Sequence, residues 1–281
     1  MNAFVQFQRL LPQHALSRVV GRFARSTLLA RPLIGAFSAA YRVDLADAQR
    51  KTRRDYSTFN DFFTRELADG ARPLPDDPRA LVSPVDGTVS QLGTIDDGRL
   101  LQAKGVRYLL ASLLLDSRAA RIFNGGWFAT IYLAPSNYHR VHVPFDGTLV
   151  RSVAVPGQLF SVNARTEAGV ERLFCVNERL VMHFKTAAGP LVLVMVGALI
   201  VASIETVFEA PQSPYEREVV SAHDRQFARG EEVGRFLLGS TAIVVLPRDV
   251  FKPSKQIQIG TLVRMGEALG TIEAPITTAR S

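Results

Sequence analysis

The spacing of hydrophobic and polar residues changes once along the chain. Before about residue 70, apolar residues recur every three or four positions, which predicts amphipathic helices. From residue 81 onward, short runs rich in Val and Ile are separated by Gly, Asp and Pro, which predicts strands. The predicted strands are residues 130–133, 147–155, 180–184, 191–196, 241–246 and 256–263, with one helix around residues 106–115. The expected fold class is α+β, with amino-terminal helices before a β-rich, mostly antiparallel domain.

The first predicted helix is both basic and amphipathic. Its apolar side carries Leu16, Val19, Val20, Phe23 and Thr27, and its opposite side carries Arg18, Arg22 and Arg25. Pro12 suits the first turn, and Pro32 ends the pattern before a second apolar stretch at residues 33–41. The pattern leaves two interpretations open, which are packing against the rest of the chain and binding to a membrane surface.

A further short helix is expected after Ser57, a suitable N-cap. Its apolar positions are Phe59, Phe62, Phe63 and Leu67. Gly70 ends this pattern, and the proline-rich stretch at residues 70–78 predicts a connector. We therefore divide the chain into an amino-terminal basic, helical segment, residues 1–69, and a β-rich domain, residues 70–281.

The charge is concentrated at the amino terminus. The 281 residues have a net charge of +7, and residues 1–54 hold ten Lys and Arg against Asp44 and Asp47. A cationic segment on a neutral body indicates an anionic partner surface. Acidic lipid is favoured over nucleic acid, because no aromatic residues alternate with the arginines and no nucleic-acid-binding motif follows.

Other features limit the class of protein. Arginines interrupt every apolar stretch near the amino terminus, so no signal peptide is expected. The longest apolar run, residues 191–204, is shorter than the roughly 20 residues of a membrane-spanning helix. Cys175 is the one cysteine, which excludes an internal disulfide and a Cys-rich metal site.

A six-residue motif occurs twice. Residues 84–89 (PVDGTV) are echoed by residues 144–149 (PFDGTL), an offset of 60. Asp-Gly followed by Thr and an aliphatic residue predicts a tight turn leading into a strand, so the two copies indicate a duplicated β unit. The pattern leaves open whether Asp86 or Asp146 has a further role.

His139 and His142 lie three residues apart just before the second copy of this motif. Val141 and Val143 favour an extended segment, in which the two rings point to opposite faces, so a shared metal ion is not expected. Each histidine is either a hydrogen-bonded structural residue or an acid or base.

The Gly239-Ser240 step stands at the start of a predicted strand. Leu238 and Ala242 occupy the glycine positions of the hydrolase elbow G-x-S-x-G, so a conventional serine hydrolase is disfavoured. Because glycine has no side chain, the Gly239 carbonyl can be approached closely from the Ser240 side.

Several motifs together resemble the bacterial, pyruvoyl-dependent phosphatidylserine decarboxylase family. They are residues 59–73 (FNDFFTRELADGARP), 83–90 (SPVDGTVS), 138–144 (YHRVHVP), 196–205 (VGALIVASIE) and 230–247 (GEEVGRFLLGSTAIVVLP). The resemblance runs from about residue 57 to the carboxyl terminus. It implies a proenzyme that cuts itself between Gly239 and Ser240 into a β chain, residues 1–239, and an α chain, residues 240–281.

The resemblance also assigns roles. Ser240 becomes a covalent pyruvoyl group, Asp86 and His142 form a charge relay with Ser240, and His139 is the candidate proton donor. This choice of Asp86 leaves Asp146 as a turn residue. The pyruvoyl group forms a Schiff base with phosphatidylserine and accepts the electron pair released with carbon dioxide, giving phosphatidylethanolamine.

The expected location is the cytoplasmic side of the cell membrane, as a peripheral protein. The apolar run at residues 196–204 could form a wall for acyl chains, although a core strand explains it equally well. The two chains are expected to form a heterodimer that self-associates further. No metal ion, dissociable cofactor or nucleic acid is implied.

Two other classes of protein share some of these sequence features. A carrier domain of the lipoyl or biotinyl type also has Asp-Gly turns in a duplicated β unit. In this chain, however, no lysine stands in a comparable hairpin. The lysines that lack flanking residues of that kind are Lys104, Lys185, Lys252 and Lys255. The second alternative is an unprocessed, inactive membrane-binding relative, which only the fate of the Gly239-Ser240 bond distinguishes from the enzyme.

Overall fold

The computed structural model describes residues 3–102, 105–198, 204–237 and 240–273. Its α-helices are α1 (Ala3–Leu10), α2 (Gln13–Ala24), α3 (Ala30–Tyr41), α4 (Phe59–Phe63), α5 (Leu110–Leu114), α6 (Ser117–Ile122), α7 (Ala164–Glu167) and α8 (Leu173–Val176). Its first eight strands are β1 (Ala80–Val82), β2 (Gly87–Thr94), β3 (Arg99–Leu101), β4 (Arg107–Leu109), β5 (Trp127–Leu133), β6 (Arg140–His142), β7 (Gly147–Val155) and β8 (Arg179–Thr186). The others are β9 (Gly189–Val196), β10 (Ile204–Thr206), β11 (Val219–Phe227), β12 (Glu232–Phe236), β13 (Ser240–Leu246), β14 (Phe251–Pro253), β15 (Leu262–Val263) and β16 (Ala268–Ile272).

An antiparallel sheet with the order β11-β7-β8-β9-β13-β5-β2-β15 forms the centre of the fold. Every residue of the Val- and Ile-rich β13 is buried. Because successive side chains point to opposite faces of the sheet, both faces are covered at this strand. Ala242 and Val244 join one hydrophobic core cluster, and Ile243 and Val245 join the other. Smaller sheets with the orders β1-β16-β14, β10-β12-β6 and β3-β4 surround the central one. The predicted α+β class with a β-rich antiparallel domain is confirmed.

The duplicated motif forms two matching turns. Gly87 begins β2 and Gly147 begins β7. The Pro84 carbonyl accepts a hydrogen bond from the His142 amide at 2.9 Å, and the Pro144 carbonyl accepts one from the Val82 amide at 3.0 Å. The donor lies two residues before the motif proline in each copy. This reciprocal pairing agrees with the predicted duplication.

Several predicted element boundaries were wrong. Of residues 256–263, only Leu262–Val263 form a strand, and the rest are turn and loop, because Gly260 has a φ of +90° and the Thr261 amide donates to the Gln258 carbonyl at 3.0 Å. The predicted helix around residues 106–115 is β4 followed by α5. The N-cap of α4 is Thr58, not Ser57, and α4 ends at Phe63, leaving Leu67 bridged to Ala48.

The helix limits near the amino terminus also differ from the sequence pattern. α2 ends at Ala24, so Thr27 lies beyond it, and Pro32 stands in the first turn of α3 rather than ending a helix. Proline fits there because first-turn amides have no intrahelical acceptor. The division of the chain at residue 70 stays a prediction.

The first two helices dock through polar side chains. Gln8 Oε1 accepts from the Ser161 amide at 2.8 Å, and Gln13 Oε1 accepts from the Leu159 amide at 2.7 Å. Apolar residues of the same region face outward, with Phe23 52% and Leu28 89% exposed. None of the described helices is both long enough and apolar enough to cross a membrane.

Candidate active site

Strand pairing brings Ser240 and the Asp86 turn to one end of the central sheet. Ser240 pairs with Leu133, the last residue of β5. On the other side of β5, Thr88 pairs with Tyr132. Asp86, which directly precedes β2, therefore lies at the same end of β5 as Ser240. Both residues had been predicted as site residues, although they are 154 positions apart in the chain.

Ser240 is completely buried, and its Oγ has no hydrogen-bond partner in the described part of the chain. An unsatisfied buried hydroxyl costs roughly 1–3 kcal/mol, so its occurrence at a strand end requires a reason. The predicted scissile bond is only half described, because Leu238 and Gly239 lie outside the described residues.

The histidine segment enters this end of the sheet through β6, which pairs with β12. The Phe236 amide donates to the His139 carbonyl at 2.9 Å, so His139 is bonded to a residue four positions before Ser240. The two histidine rings contact different neighbours. His139 packs on Phe63, with 4.0 Å between ring centroids, whereas His142 lies 5.6 Å from the Tyr138 ring centroid.

His142 has partners at both ring nitrogens. Its Nδ1 lies 2.8 Å from the Gly230 carbonyl oxygen, and its Nε2 lies 3.0 Å from the Tyr138 hydroxyl. Since a carbonyl can only accept, Nδ1 carries the hydrogen. In the neutral ring Nε2 is then an acceptor, and the Tyr138 hydroxyl donates to it. Burial lowers the pKa of His142, although the Gly230 bond opposes this effect. The ring is therefore neutral at pH 7, with its basic lone pair on Nε2.

His139 is fully buried, and its Nδ1 lies 2.8 Å from the Asn137 carbonyl oxygen. Its Nε2 is buried without a partner among the described residues. Burial, together with the nearby Arg65 charge, lowers the pKa of His139 to about 3, although the bond to the Asn137 carbonyl opposes this effect. This ring is also neutral at pH 7, with an unpaired lone pair on Nε2.

Asp86 is bonded to Arg72 rather than to His142. Arg72 Nη2 and Nε donate to its two carboxylate oxygens at 2.6 and 3.2 Å, and the Met265 amide donates to Oδ1 at 2.7 Å. Burial lowers the pKa of the Arg72 guanidinium, but the hydrogen bonds to Asp86 and Asp47 have the larger effect, so the pKa is raised overall. The Gly230 carbonyl occupies the position at His142 Nδ1 that a relay aspartate would take, so a tautomer-fixing contact from Asp86 stays a prediction.

Three arginines that the sequence did not single out hold this end of the sheet together. Arg72 binds Asp86, and Arg65 donates to the Ser136 and Asn137 carbonyls at 2.8 and 3.2 Å. Arg140 donates to the Thr64 carbonyl at 2.9 Å and forms ion pairs with Glu66 and Glu232. The available signal was their position inside the quoted motifs, since Arg65 and Arg72 belong to residues 59–73 and Arg140 to residues 138–144.

The apolar run at residues 196–204 is only partly described. Val196 is the last residue of β9 and is buried in the core, as is Ala198. Residues 199–203 lie outside the described residues. The expected acyl-chain wall therefore stays a prediction.

A buried serine hydroxyl opens a strand here, and two neutral buried histidines lie on the adjoining segment. These are the groups that an enzyme of acid–base chemistry uses. A family model described as "Phosphatidylserine decarboxylase" matches residues 59–271, and one described as "PSD" matches residues 3–42. The chain belongs to the phosphatidylserine decarboxylase family.

Relatives named "Phosphatidylserine decarboxylase proenzyme" match over almost their whole length. The relative from Psychrobacter cryohalolentis is 50% identical over 274 residues, which is 96% of this chain and 99% of the relative. The one from Psychrobacter arcticus is 50% identical over 273 residues, covering 96% and 98%. The one from Acinetobacter baylyi is 44% identical over 276 residues, covering 98% and 97%. The predicted family and enzyme class, a decarboxylase made as a proenzyme, are confirmed.

Proposed function

We propose that the chain cleaves its own Gly239-Ser240 bond and uses the resulting pyruvoyl group to convert phosphatidylserine into phosphatidylethanolamine and carbon dioxide. It acts in phospholipid biosynthesis as a peripheral protein on the cytoplasmic side of the cell membrane, with its β and α chains held together as a heterodimer. The observation that carries this mechanism is the buried Ser240 hydroxyl at the start of β13, which has no hydrogen-bond partner in the part of the chain that the structure describes.

Self-cleavage begins when the Ser240 hydroxyl attacks the Gly239 carbonyl carbon and His142 accepts the hydroxyl proton. The C–N bond breaks, the nitrogen takes a proton, and an ester joins Gly239 to the Ser240 oxygen. Elimination then removes the α-hydrogen of Ser240 as a proton and the Gly239 carboxylate as the leaving group. The dehydroalanine that remains takes up water and releases ammonia, which leaves the pyruvoyl group.

His142 suits the role of base because it is neutral and its tautomer is fixed. The Gly230 carbonyl holds the hydrogen on Nδ1, which leaves Nε2 to accept a proton. The Tyr138 hydroxyl occupies Nε2 and must move aside for Ser240 to use it. Asp86 is the predicted source of the negative charge that stabilises protonated His142, and Arg72 holds that carboxylate until then.

When present, the pyruvoyl group condenses with the lipid amine and accepts the electron pair released with carbon dioxide. The residues fit such a group, because Ser240 is buried and no hydrogen bond among the described residues depends on its hydroxyl. Nε2 of His139 carries a lone pair at pH 7, so it first accepts the proton that the lipid ammonium group releases when it becomes a free amine, and then returns a proton to the α-carbon. Because burial lowers the pKa of His139 to about 3, this proton is weakly held and readily transferred.

Membrane attachment is supported by the outward-facing apolar residues of the amino-terminal helices. Val19 and Phe23 on α2 are 53% and 52% exposed, and Leu28 in the following turn is 89% exposed. Basic residues next to exposed apolar ones are typical of interfacial helices on acidic membranes.

The test is the intact mass of the denatured protein before and after borohydride reduction. Two fragments split after Gly239, with the smaller one gaining two hydrogens on reduction, are the expected result. The matched variant Ser240→Ala keeps a small residue in the same buried position and is expected to stay a single chain. A wild-type chain that stays whole would indicate the unprocessed relative, and cleavage of Ser240→Ala would exclude Ser240 as the nucleophile.

A further inference from the structure

A cavity of about 1190 Å³ lies between α2 and the segment 211–219. Arg18, Arg22 and Arg25 line it from the helix, and Arg217 lines it from the opposite segment. Arg18 and Arg22 lie four positions apart on one face of α2, and Arg25, the C-cap residue three positions further on, continues that face. We call this space the arginine cavity.

The arginine cavity carries uncompensated positive charge. All four arginines are exposed, and none forms an ion pair with a carboxylate in the described part of the chain. Glu216 is the one acidic residue in its lining. Guanidinium groups converging from two elements match the geometry of a phosphate, which accepts paired hydrogen bonds.

The wall opposite α2 is held in place by a buried carboxylate. Ser213 donates to Glu178 Oε1, and the Tyr215 amide donates to Glu178 Oε2 at 2.8 Å. Glu178 is completely buried. The wall of the arginine cavity is therefore anchored to the protein core and does not depend on a ligand to form.

Glu178, which holds this wall, also shows where the arginine cavity lies relative to Ser240. Glu178 directly precedes Arg179, which pairs with Val196 across β8 and β9. Val196 pairs in turn with Thr241, the residue after Ser240. Glu178 and Ser240 thus lie at the same end of the sheet, with their backbones separated by two strand spacings, about 10 Å.

The exposed apolar residues favour a lipid over a soluble anion. Val19 directly follows Arg18, and Phe23 directly follows Arg22, so an outward apolar stripe runs beside the arginine stripe on α2. A phospholipid carries its charge and its apolar chains in this same adjacent arrangement. A site for free phosphate would have no use for exposed apolar side chains beside it.

We infer that the arginine cavity binds the phosphodiester of an anionic glycerophospholipid at the membrane surface, while Val19 and Phe23 contact its acyl region. This inference rests on the proposed membrane attachment. It gives the attachment an orientation, because the sheet end that carries Ser240 then faces the bilayer that supplies the substrate.

The test compares vesicle binding of the full processed chain and three arginine variants. The vesicles are phosphatidylcholine with or without phosphatidylglycerol. We expect Arg22→Gln and Arg217→Gln each to weaken binding to the anionic vesicles about tenfold, from opposite walls of the arginine cavity. The matched control is Arg31→Gln on α3, which removes the same charge from the same basic region outside the cavity and is expected to change binding less than twofold.

Equal losses in all three variants would mean diffuse attraction to charge and would overturn the inference. The inference would also be overturned if the chain bound inorganic phosphate without vesicles and Arg22→Gln abolished that binding. Thermal unfolding of each variant checks that the fold is kept. Decarboxylation of dispersed short-chain phosphatidylserine by the wild-type chain separates the two proposals, because its absence would contradict the proposed function and not the arginine cavity.

Discussion

At the scale of single residues, distant parts of the chain hold the site: Arg72 binds the Asp86 carboxylate, and the Gly230 carbonyl accepts from His142 Nδ1. Ser240, His139, His142 and Asp86 were found through motifs whose residue types carry the chemistry. The bond from Arg72 to Asp86 could not be predicted, because Arg72 lies in a proline-rich connector without periodicity. The bond from His142 Nδ1 to the Gly230 carbonyl could not be predicted either, since every residue has a backbone carbonyl and the sequence does not show which one is the acceptor.

The lowered pKa of His142 predicts how self-cleavage depends on pH. Only the neutral ring acts as a base, so the first-order rate of cleavage is expected to fall on acidification with a midpoint below that of an ordinary histidine, about pH 6.5. Tyr138→Phe removes a donor that stabilises the neutral ring, so it is expected to raise the pKa of His142 and shift the fall to higher pH. Cleavage of freshly translated chain at a series of pH values measures this. A shift to lower pH in Tyr138→Phe would contradict the assignment of His142 as base.

His139 is expected to matter more for turnover than for processing. His139→Ala should still cleave after Gly239 but decarboxylate phosphatidylserine at least 100-fold more slowly, because general acid catalysis contributes roughly 10²–10⁴-fold. His183→Ala is the matched control, since burial lowers the pKa of His183 to about 4 and its Nε2 also lacks a partner among the described residues. Turnover by processed His139→Ala at the His183→Ala rate would remove His139 from the mechanism.

At the scale of elements, burial decides which patterns predict correctly. β13 was predicted to within one residue because its Val and Ile positions are buried on both faces. Residues 256–263 alternate apolar and polar side chains in the same way as a strand, yet Ile259 is 58% exposed and Gly260 turns the chain. Alternation alone therefore predicted a strand longer than the observed β15, in which Val263 is buried in the core.

The two copies of the duplicated motif give a matched pair of glycine substitutions. A Cβ at Gly87 would lie 2.5 Å from the Tyr132 carbonyl oxygen on β5, whereas one at Gly147 would first meet the Thr186 methyl group at 3.0 Å. Gly87→Ala is therefore expected to destabilise the fold by about 1–3 kcal/mol, to displace Asp86 and to slow self-cleavage, with a smaller effect of Gly147→Ala. Urea unfolding and the processed fraction measure both effects. An equal or larger effect of Gly147→Ala would show that the close approach to β5 does not matter.

At the scale of the whole molecule, the sequence left the direction of the amphipathic helix undecided. The structure docks α1 and α2 through Gln8 and Gln13 and leaves Val19 and Phe23 exposed. A hydrophobic pattern shows which residues share a face, but it cannot show whether protein or lipid covers that face. Buried glutamines that bond to a loop about 150 residues away, at Leu159 and Ser161, have no signal in the pattern.

This arrangement allows the membrane contact to be removed without disturbing the docking. Phe23→Ser combined with Leu28→Ser replaces two exposed apolar side chains, so thermal stability should hardly change. Burying such side chains in lipid is worth about 1.5–3 kcal/mol each, so vesicle affinity is expected to fall at least tenfold even at high salt, where attraction to the arginines is screened. Ile122→Ser on α6, with 55% of the side chain exposed, is the control away from these helices. If the double variant and the Ile122→Ser control both bind vesicles like the wild type, the exposed side chains of Phe23 and Leu28 have no role at the membrane, and another part of the chain must provide the attachment.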